Sequence, residues 1–132
     1  MNKSQFEEAK KQNELSYSPY SHYRVSAAVL LTDGKIVSGM NIENSAFGLS
    51  ICAERCTLFK VYSMGYKKDD IVSLLIYTNR KDSVPYPCGS CRQVMRELMN
   101  LDAEVIVVND LEKPEYFTVD SLLPNSFGPE SL

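Results

Sequence analysis

The chain has 132 residues, of which 44% are hydrophobic and 23% charged, so residues 1–132 are expected to fold as one globular domain. Its formal net charge of -3 provides no positive field for a phosphate backbone and argues against nucleic acid as a partner. The charged N-terminal segment and the lack of a long apolar run argue against a signal peptide and a membrane partner, so we expect a cytoplasmic protein.

The first half of the chain predicts a helix followed by a β-hairpin. The helix, Ser4–Leu15, has one weakly apolar face formed by Phe6, Ala9 and Leu15. The two strands that follow are predicted at Arg24–Leu31 and Lys35–Ile42. Between them, Asp33 and Gly34 predict a tight two-residue turn, because Asp-Gly readily adopts the positive φ values that such a turn requires.

The second half of the chain predicts two mostly buried helices and three strands. The helices are Cys52–Met64, with Ala53, Cys56, Leu58, Phe59 and Tyr62 as its apolar positions, and Cys88–Met99, with Val94, Met95 and Leu98 facing inward. The strands are Ile71–Thr78, Ala103–Val108 and Glu115–Val119. This order predicts an α/β fold, a three-layer αβα sandwich in which a five-stranded mixed sheet carries helices on both faces.

The four cysteines lie near the starts of the two buried helices, at positions Cys52, Cys56, Cys88 and Cys91. In a reducing compartment a chain of this length does not need disulfides, so metal binding is the leading interpretation and buried inert thiols the alternative. The positive end of a helix dipole favours the thiolate form of a cysteine at that end. The C-x-x-C pair alone is equally typical of a redox pair or half of a structural zinc site.

One acidic residue makes a catalytic metal more plausible than a structural one. Glu54 follows Cys52 by two residues, close enough for its carboxylate to reach a zinc-bound water without being a ligand. Three protein ligands and one water form the open coordination of a catalytic zinc. Because zinc lowers the pKa of bound water to about 7, the pattern indicates hydrolysis, with a carboxylate to relay the proton.

These motifs resemble those of the small three-cysteine cytidine deaminases. The resemblance is carried by Cys52-Ala-Glu-Arg55 and by Pro87-Cys-Gly-Ser-Cys-Arg-Gln93, and it extends in order to Tyr17–Val29, Gly39–Asn44 and Leu122–Phe127. It implies zinc-dependent deamination of cytidine and deoxycytidine to uridine, deoxyuridine and ammonia in pyrimidine salvage. It also implies one Zn²⁺ per subunit, a nucleoside as the small-molecule partner and a homotetramer.

The resemblance further implies a role for each site residue. Zinc would be held by Cys52, Cys88 and Cys91. Glu54 would take a proton from the attacking water and deliver protons to N3 and the leaving amine, while Arg55 would hydrogen-bond the ligand sulfurs. The substrate would be bound by Asn41 and Glu43 at the ribose hydroxyls, by Tyr23 near the base and by Phe127 from the neighbouring subunit.

Some residues depart from this pattern or have a simpler explanation. Cys56 stands where the family more often has threonine, one helical turn after Cys52; we expect a free thiol, because a fourth protein ligand would displace the water. Ser26 replaces the usual glycine and is expected to affect only strand packing. His22, the only histidine, is expected to be exposed rather than a ligand.

The other candidate site residues could instead have purely structural roles. Asn41 and Glu43 are also common turn residues, Arg55 could simply pair with a carboxylate, and Tyr23 and Phe127 could be core aromatics.

Other function classes remain open on the sequence alone. One alternative is a non-enzymatic module in which four cysteines hold a structural zinc and the protein binds a partner. It would need Cys56 as the fourth zinc ligand, and Glu54 would have no function in it. A deaminase of another aminopyrimidine, such as a nucleoside antibiotic or a free base, would use the same metal site. A polynucleotide deaminase is disfavoured by the acidic charge balance.

Overall fold

A computed structural model describes all 132 residues and contains one sheet with helices on both faces. The strands are β1 (Val25–Leu31), β2 (Ile36–Met40), β3 (Ile71–Thr78), β4 (Glu104–Val108) and β5 (Glu115–Thr118). The α-helices are α1 (Lys3–Asn13), α2 (Ala53–Ser63), α3 (Gly89–Leu98) and α4 (Val119–Leu122). Short 3-10 turns occupy Phe47–Leu49, Lys68–Asp70 and Pro129–Ser131. None of the helices combines the length and apolar character needed to cross a bilayer.

The sheet is mixed, with the strand order β2-β1-β3-β4-β5. Only β3 and β4 pair in parallel, with Leu74 opposite Val105, and the other neighbours are antiparallel. These two strands are almost continuously apolar, as expected for strands covered on both faces. The predicted five-stranded mixed sheet in a three-layer α/β sandwich is therefore confirmed.

Alternating side chains of the sheet form two separate cores. Ala28 and Leu75 pack with Phe6 of α1 on one face. Their chain neighbours Ala27 and Leu74 belong to the core that α2 and α3 cover on the opposite face. This alternation follows from the two-residue period of a strand, and it places α2 and α3 side by side on one face of the sheet.

The buried face of α1 is partly polar, which the sequence pattern did not predict. Gln5 Nε2 donates to the Ala28 carbonyl at 2.9 Å, and Asn13 Nδ2 donates to Ser26 Oγ at 3.3 Å. Ser26 Oγ in turn donates to the carbonyl of Ala9 at 2.6 Å. The expectation that Ser26 affects only strand packing is too narrow, because its hydroxyl also fixes α1 to the sheet.

Three local predictions are wrong. Leu15 is predicted to lie on the apolar face of the first helix but is 64% exposed, because α1 ends at Asn13 and the Asn13 side chain is the last one of the helix to be buried. Phe59 is 46% exposed, since α2 turns Leu58 and Val61 inward instead.

The third error concerns the hairpin between β1 and β2. Leu31 donates its N–H to the Lys35 carbonyl at 2.9 Å, so the loop has three residues, Thr32 to Gly34, rather than two. Of these, only Gly34 has a positive φ, of 89°. One left-handed glycine at the end of a three-residue loop is a common hairpin geometry.

The end of β5 also differs from its prediction. Val119 begins the short helix α4 instead of closing the strand. Thr118 and Ser121 cap this helix reciprocally: the Ser121 N–H donates to Thr118 Oγ1 at 3.1 Å, and the Thr118 N–H donates to Ser121 Oγ at 3.0 Å. Leu122 is thereby buried, so the start of the C-terminal tail docks on the domain.

Candidate metal centre and active-site cavity

The adjacent N-termini of α2 and α3 bring three thiols together. Cys52 is the N-cap of α2 and Cys88 the N-cap of α3, with Cys91 in the first turn of α3. The sulfur of Cys88 lies 3.8 Å from that of Cys52 and 3.5 Å from that of Cys91, and all three sulfurs lie within 4.8 Å of one another. Tetrahedral zinc with Zn–S bonds of about 2.3 Å requires sulfurs roughly 3.8 Å apart, so this donor set fits the ion.

The charges around the sulfurs also suit a cation. A hydrogen bond from Cys91, assisted by the Arg55 guanidinium, lowers the pKa of the Cys52 thiol to about 5. The pKa of Cys91 is raised because it donates to Cys52 and is buried. A bound zinc ion supplies the positive charge that keeps all three groups ionised, and thiolates are the soft ligands that zinc accepts.

Arg55 contributes to the cluster from the first turn of α2. Its Nη2 lies 3.6 Å from the sulfur of Cys52, the range of an N–H···S hydrogen bond. Its Nε is buried and has no hydrogen-bond partner. The arginine is therefore directed to sulfur rather than to a carboxylate, which disfavours the simple ion-pair interpretation.

Cys56 stands apart from this cluster. Its sulfur faces β2, lying 3.2 Å from the point where a Cβ on Gly39 would stand. Cys52 has an extended backbone as the helix cap, with ψ of 155°, so the spacing of one helical turn does not bring the two thiols to one ligand position. Cys56 is not among the three cysteines whose sulfurs lie within 4.8 Å of one another, so this geometry favours three protein ligands over the four-cysteine module.

Glu54 lies beside the thiols and is almost inaccessible, with 4% of its surface exposed. Burial raises the pKa of its carboxyl to about 7, and the negative charge of Cys52 adds to this increase. A carboxyl with a pKa near neutrality can both accept and donate a proton under physiological conditions. A cation at the sulfurs favours its ionised form.

A cavity of about 320 Å³ opens onto these groups. It is lined by residues of the metal-site segments, Cys52, Ala53, Glu54 and Cys88, by a polar group, Ser21, Asn41 and Glu43, and by an apolar and aromatic group, Tyr23, Val25, Val84, Pro85 and Tyr86. An apolar lining with a few convergent polar groups is typical of a small-molecule site.

The amide of Asn41 is largely occupied by the protein itself. Its Nδ2 donates to the Tyr23 carbonyl at 2.8 Å. Its Oδ1 accepts from the Val25 N–H at 3.1 Å and from the Ser16 hydroxyl. Since an amide nitrogen carries two hydrogens, one N–H of Asn41 remains for a ligand, and its direction is fixed by the other three bonds.

Glu43 is held in a similar way by the segment that precedes β1. Its Oε1 accepts from the backbone N–H groups of Tyr20 and Ser21 at 3.0 and 3.1 Å. Its Oε2 accepts from the Ser21 hydroxyl, which lowers the pKa of the carboxyl. Two carboxylate oxygens accept about four hydrogen bonds, so one acceptor position remains.

The remaining predicted residues occupy different places. The Tyr23 hydroxyl is hydrogen-bonded to Ser83 Oγ at 2.8 Å, and the Arg80 guanidinium lies 5.5 Å from the centre of its ring. Phe127 lies outside the cavity lining of its own chain, with 61% of its surface exposed, so it is not a core aromatic. His22 is exposed, as predicted.

Sequence reasoning missed several lining residues. Ser21, which orients Glu43, was not singled out, nor were Val84, Pro85 and Tyr86. A signal was available for Pro85 and Tyr86, because Pro85-Tyr86-Pro87 directly precedes Cys88, and prolines restrict the chain next to this predicted ligand.

Comparison with known proteins agrees with this geometry. Residues 1–108 match the family model described as the cytidine and deoxycytidylate deaminase zinc-binding region. Cytidine deaminase of Halalkalibacterium halodurans is 44% identical over 125 residues, covering 95% of this chain and 92% of that protein. Cytidine deaminase of Sporosarcina psychrophila is 42% identical over 125 residues, covering 95% and 90%.

The fold agrees as well as the sequence. The crystal structure of cytidine deaminase from Burkholderia pseudomallei superposes with a TM-score of 0.90 at 36% identity, covering 96% of this chain and all of that one. The thiol cluster lies in the two segments that carry the zinc-binding motifs, and both fall within the matched residues. The chain therefore belongs to the cytidine and deoxycytidylate deaminase family and carries its zinc-binding region.

Proposed function

We propose that this chain hydrolyses the 4-amino group of cytidine and deoxycytidine, releasing ammonia and the uracil nucleoside. The observation that carries the proposal is the buried carboxyl of Glu54, which lines the same cavity as Cys52 and Cys88. A non-enzymatic zinc module has no use for a carboxyl buried at such a place.

Zinc, when bound by the three cysteines, acts as a Lewis acid that makes water nucleophilic near neutral pH. Glu54 accepts the proton that this water loses as it adds to C4 of the pyrimidine. Glu54 delivers this first proton to N3, then takes the second proton from the hydroxyl now on C4 and passes it to the departing amine, so that one carboxyl serves as base and acid while the C4 carbonyl forms and the C4–N bond breaks. Burial raises the pKa of this carboxyl, whereas a cation at the sulfurs favours its ionised form, which is the form needed to accept the first proton.

Substrate contacts at the polar side of the cavity favour a nucleoside. The free N–H of Asn41 and the remaining acceptor position of Glu43 complement a ribose hydroxyl, which both accepts and donates a hydrogen bond. The ring of Tyr23 supplies an apolar surface for the base. The hydrogen bonds within the protein already hold the side chains of Asn41 and Glu43 in place, so binding a ribosyl group costs little side-chain entropy. A free base has no sugar hydroxyl to use these two positions, which therefore favour a nucleoside.

Arg55 adjusts the charge of the metal site. Three thiolates around Zn²⁺ leave one net negative charge, which works against acidification of the bound water. The guanidinium directed at the Cys52 sulfur withdraws part of that charge. We therefore assign Arg55 to tuning the ligand sulfurs.

We further propose that residues 1–132 form one catalytic domain that assembles as a homotetramer and works in the cytoplasm, in pyrimidine salvage. Phe127 is 61% exposed and Phe47 is 91% exposed, and aromatic side chains so placed are typical of surfaces that a partner covers. In the assembly Phe127 reaches the cavity of a neighbouring subunit. Four free cysteines, three of them zinc ligands, suit a reducing compartment.

The test is an absorbance assay for loss of the cytosine chromophore with zinc-loaded protein. Cytidine, deoxycytidine, cytosine and a cytosine nucleoside with an altered sugar are supplied in parallel. Turnover of the two natural nucleosides well above that of the free base supports the proposal. Turnover of the free base or the altered nucleoside alone would assign the site to another aminopyrimidine. Absence of turnover with every compound would contradict the proposal that the chain is a deaminase.

A further inference from the structure

Three side chains of α3 hold the C-terminal segment against the domain. Arg92 Nη1 donates to the Leu122 carbonyl at 2.8 Å, and Gln93 Nε2 donates to the Phe127 carbonyl at 3.0 Å. One turn later, Arg96 Nε donates to Ser126 Oγ at 2.8 Å. The helix that begins at the metal-binding cysteines therefore also fixes the segment that carries Phe127.

Arg96 is the buried member of this group. Its side chain is 7% exposed and forms an ion pair with Glu130, which is 62% exposed. A buried guanidinium without partners would be strongly unfavourable. Both polar partners of the Arg96 guanidinium, Ser126 and Glu130, lie in the C-terminal segment. Burial of this charge is therefore compensated only when the segment is docked.

Gly128 shows how closely the segment approaches this arginine. A Cβ at this position would stand 2.5 Å from Cζ of Arg96. The backbone of Gly128 is extended, with φ of -157° and ψ of -175°, so a side chain at this position is opposed by the guanidinium in its present place and not by the dihedral angles. A residue with a side chain at position 128 would therefore have to displace the guanidinium of Arg96.

We propose that Arg96 is a positioning residue for the deamination reaction, holding Ser126–Glu130 so that Phe127 projects from the surface at a fixed place. The inference rests on the proposed function, in which Phe127 reaches the substrate of a neighbouring subunit. An aromatic ring contributes most to binding when the protein has already ordered it. The bond from Gln93 restrains Phe127 directly, whereas Arg96 holds the residues on either side of it, Ser126 and Glu130.

The expected consequence is a change in substrate binding more than in chemistry. Loosening the segment leaves the thiols and Glu54 in place, so kcat should change little. Ordering Phe127 would then oppose binding, and KM for cytidine should rise by about tenfold, the factor that corresponds to the loss of one good aromatic contact.

The experiment compares four variants with the wild-type protein, all zinc-loaded and with zinc content and circular dichroism measured. Arg96→Met removes the charge and keeps the apolar volume. Glu130→Gln and Gly128→Ala perturb the same contact from the tail, so the test stands even if Arg96→Met fails to fold. Lys11→Met, which breaks an exposed ion pair with Glu8, is the control and should leave KM and kcat unchanged.

A double-mutant cycle with Phe127→Ala separates positioning from general destabilisation. If Arg96 acts through Phe127, Arg96→Met or Gly128→Ala should raise KM in the wild-type background and add nothing further in the Phe127→Ala background. A wild-type KM in Arg96→Met, Glu130→Gln and Gly128→Ala, alongside a raised KM in Phe127→Ala, would overturn the role of Arg96. Additive effects would overturn it too.

The remaining outcomes separate this inference from the function on which it rests. Turnover by the wild-type protein with no effect of Phe127→Ala would refute the positioning role and leave the deaminase proposal intact. No turnover by the wild-type protein would contradict both.

Discussion

Thr57 of α2 occupies the space that a side chain on Gly39 of β2 would need. A Cβ at position 39 would stand 2.5 Å from Oγ1 of Thr57 and 3.1 Å from its backbone nitrogen. The helix that carries Cys52 and Glu54 is thus seated directly on the strand that leads to Asn41. This close approach is one of the contacts that set the distance between the metal ligands and the polar side of the cavity.

Gly39→Ala is therefore expected to destabilise the protein and to disturb the site. The added methyl group meets backbone as well as side chain, so α2 must shift, and overpacking of this kind costs about 1–3 kcal/mol. Chemical denaturation measures the free energy of unfolding, and KM for cytidine measures the disturbance of the cavity. Gly48→Ala is the control, because a Cβ there meets no atom within 4 Å. Equal stability of the two variants would contradict the close approach.

The metal ligands and Glu54 could be predicted from sequence because each belongs to a short motif at the start of a helix, where spacing and residue type determine the chemistry. The role of Arg96 could not, since its partners lie about 30 residues away in a segment that folds back. The buried amides of Gln5 and Asn13 were missed for another reason. Hydrophobic periodicity treats polar residues as exposed and therefore cannot detect a polar contact inside a core.

Glu54→Gln should separate metal binding from catalysis. The amide is close in size to the carboxyl but cannot accept the proton of the attacking water, so we expect kcat to fall by at least about 10²–10⁴-fold, the usual contribution of general acid–base catalysis. Zinc content, measured by metal analysis, should remain at one ion per chain. Glu97→Gln, an exposed position on α3, serves as the matched control and should retain full turnover. A Glu54→Gln protein with substantial activity would exclude the proposed relay.

Cys56 and Cys91 should respond differently to removal of the thiol. Cys91 lies within the cluster and Cys56 faces Gly39, so Cys91→Ala is expected to lose zinc and turnover while Cys56→Ala keeps both. Metal analysis and the absorbance assay on the two purified variants give the comparison. Loss of zinc from Cys56→Ala would reinstate a four-cysteine site.

Asn13→Ala should weaken the attachment of α1 to the sheet. The amide is 2% exposed and donates to Ser26 and to the Arg24 carbonyl, each at 3.3 Å. The Arg24 carbonyl still accepts from the Thr78 hydroxyl at 2.7 Å, so the main loss is at Ser26 Oγ. Leaving one buried acceptor unpaired costs about 1–3 kcal/mol, and the free energy of unfolding should fall by that amount. Lys11→Ala, whose side chain is 75% exposed, should change stability little. Similar stability of both variants would show that the buried amide makes no net contribution.

Removal of zinc should expose the cluster to alkylation. Cys88 is exposed and Cys52 half-buried, so metal coordination rather than burial has to protect these two sulfurs. Zinc-loaded protein treated with iodoacetamide is expected to gain at most one adduct by mass spectrometry, at the half-buried Cys56. Protein first treated with a chelator should gain further adducts at Cys88 and Cys52 and should lose turnover. Because a metal ligand must be a free thiolate, zinc added before the reagent should restore activity and zinc added after it should not. Identical adduct patterns with and without the chelator would contradict a metal held by these residues.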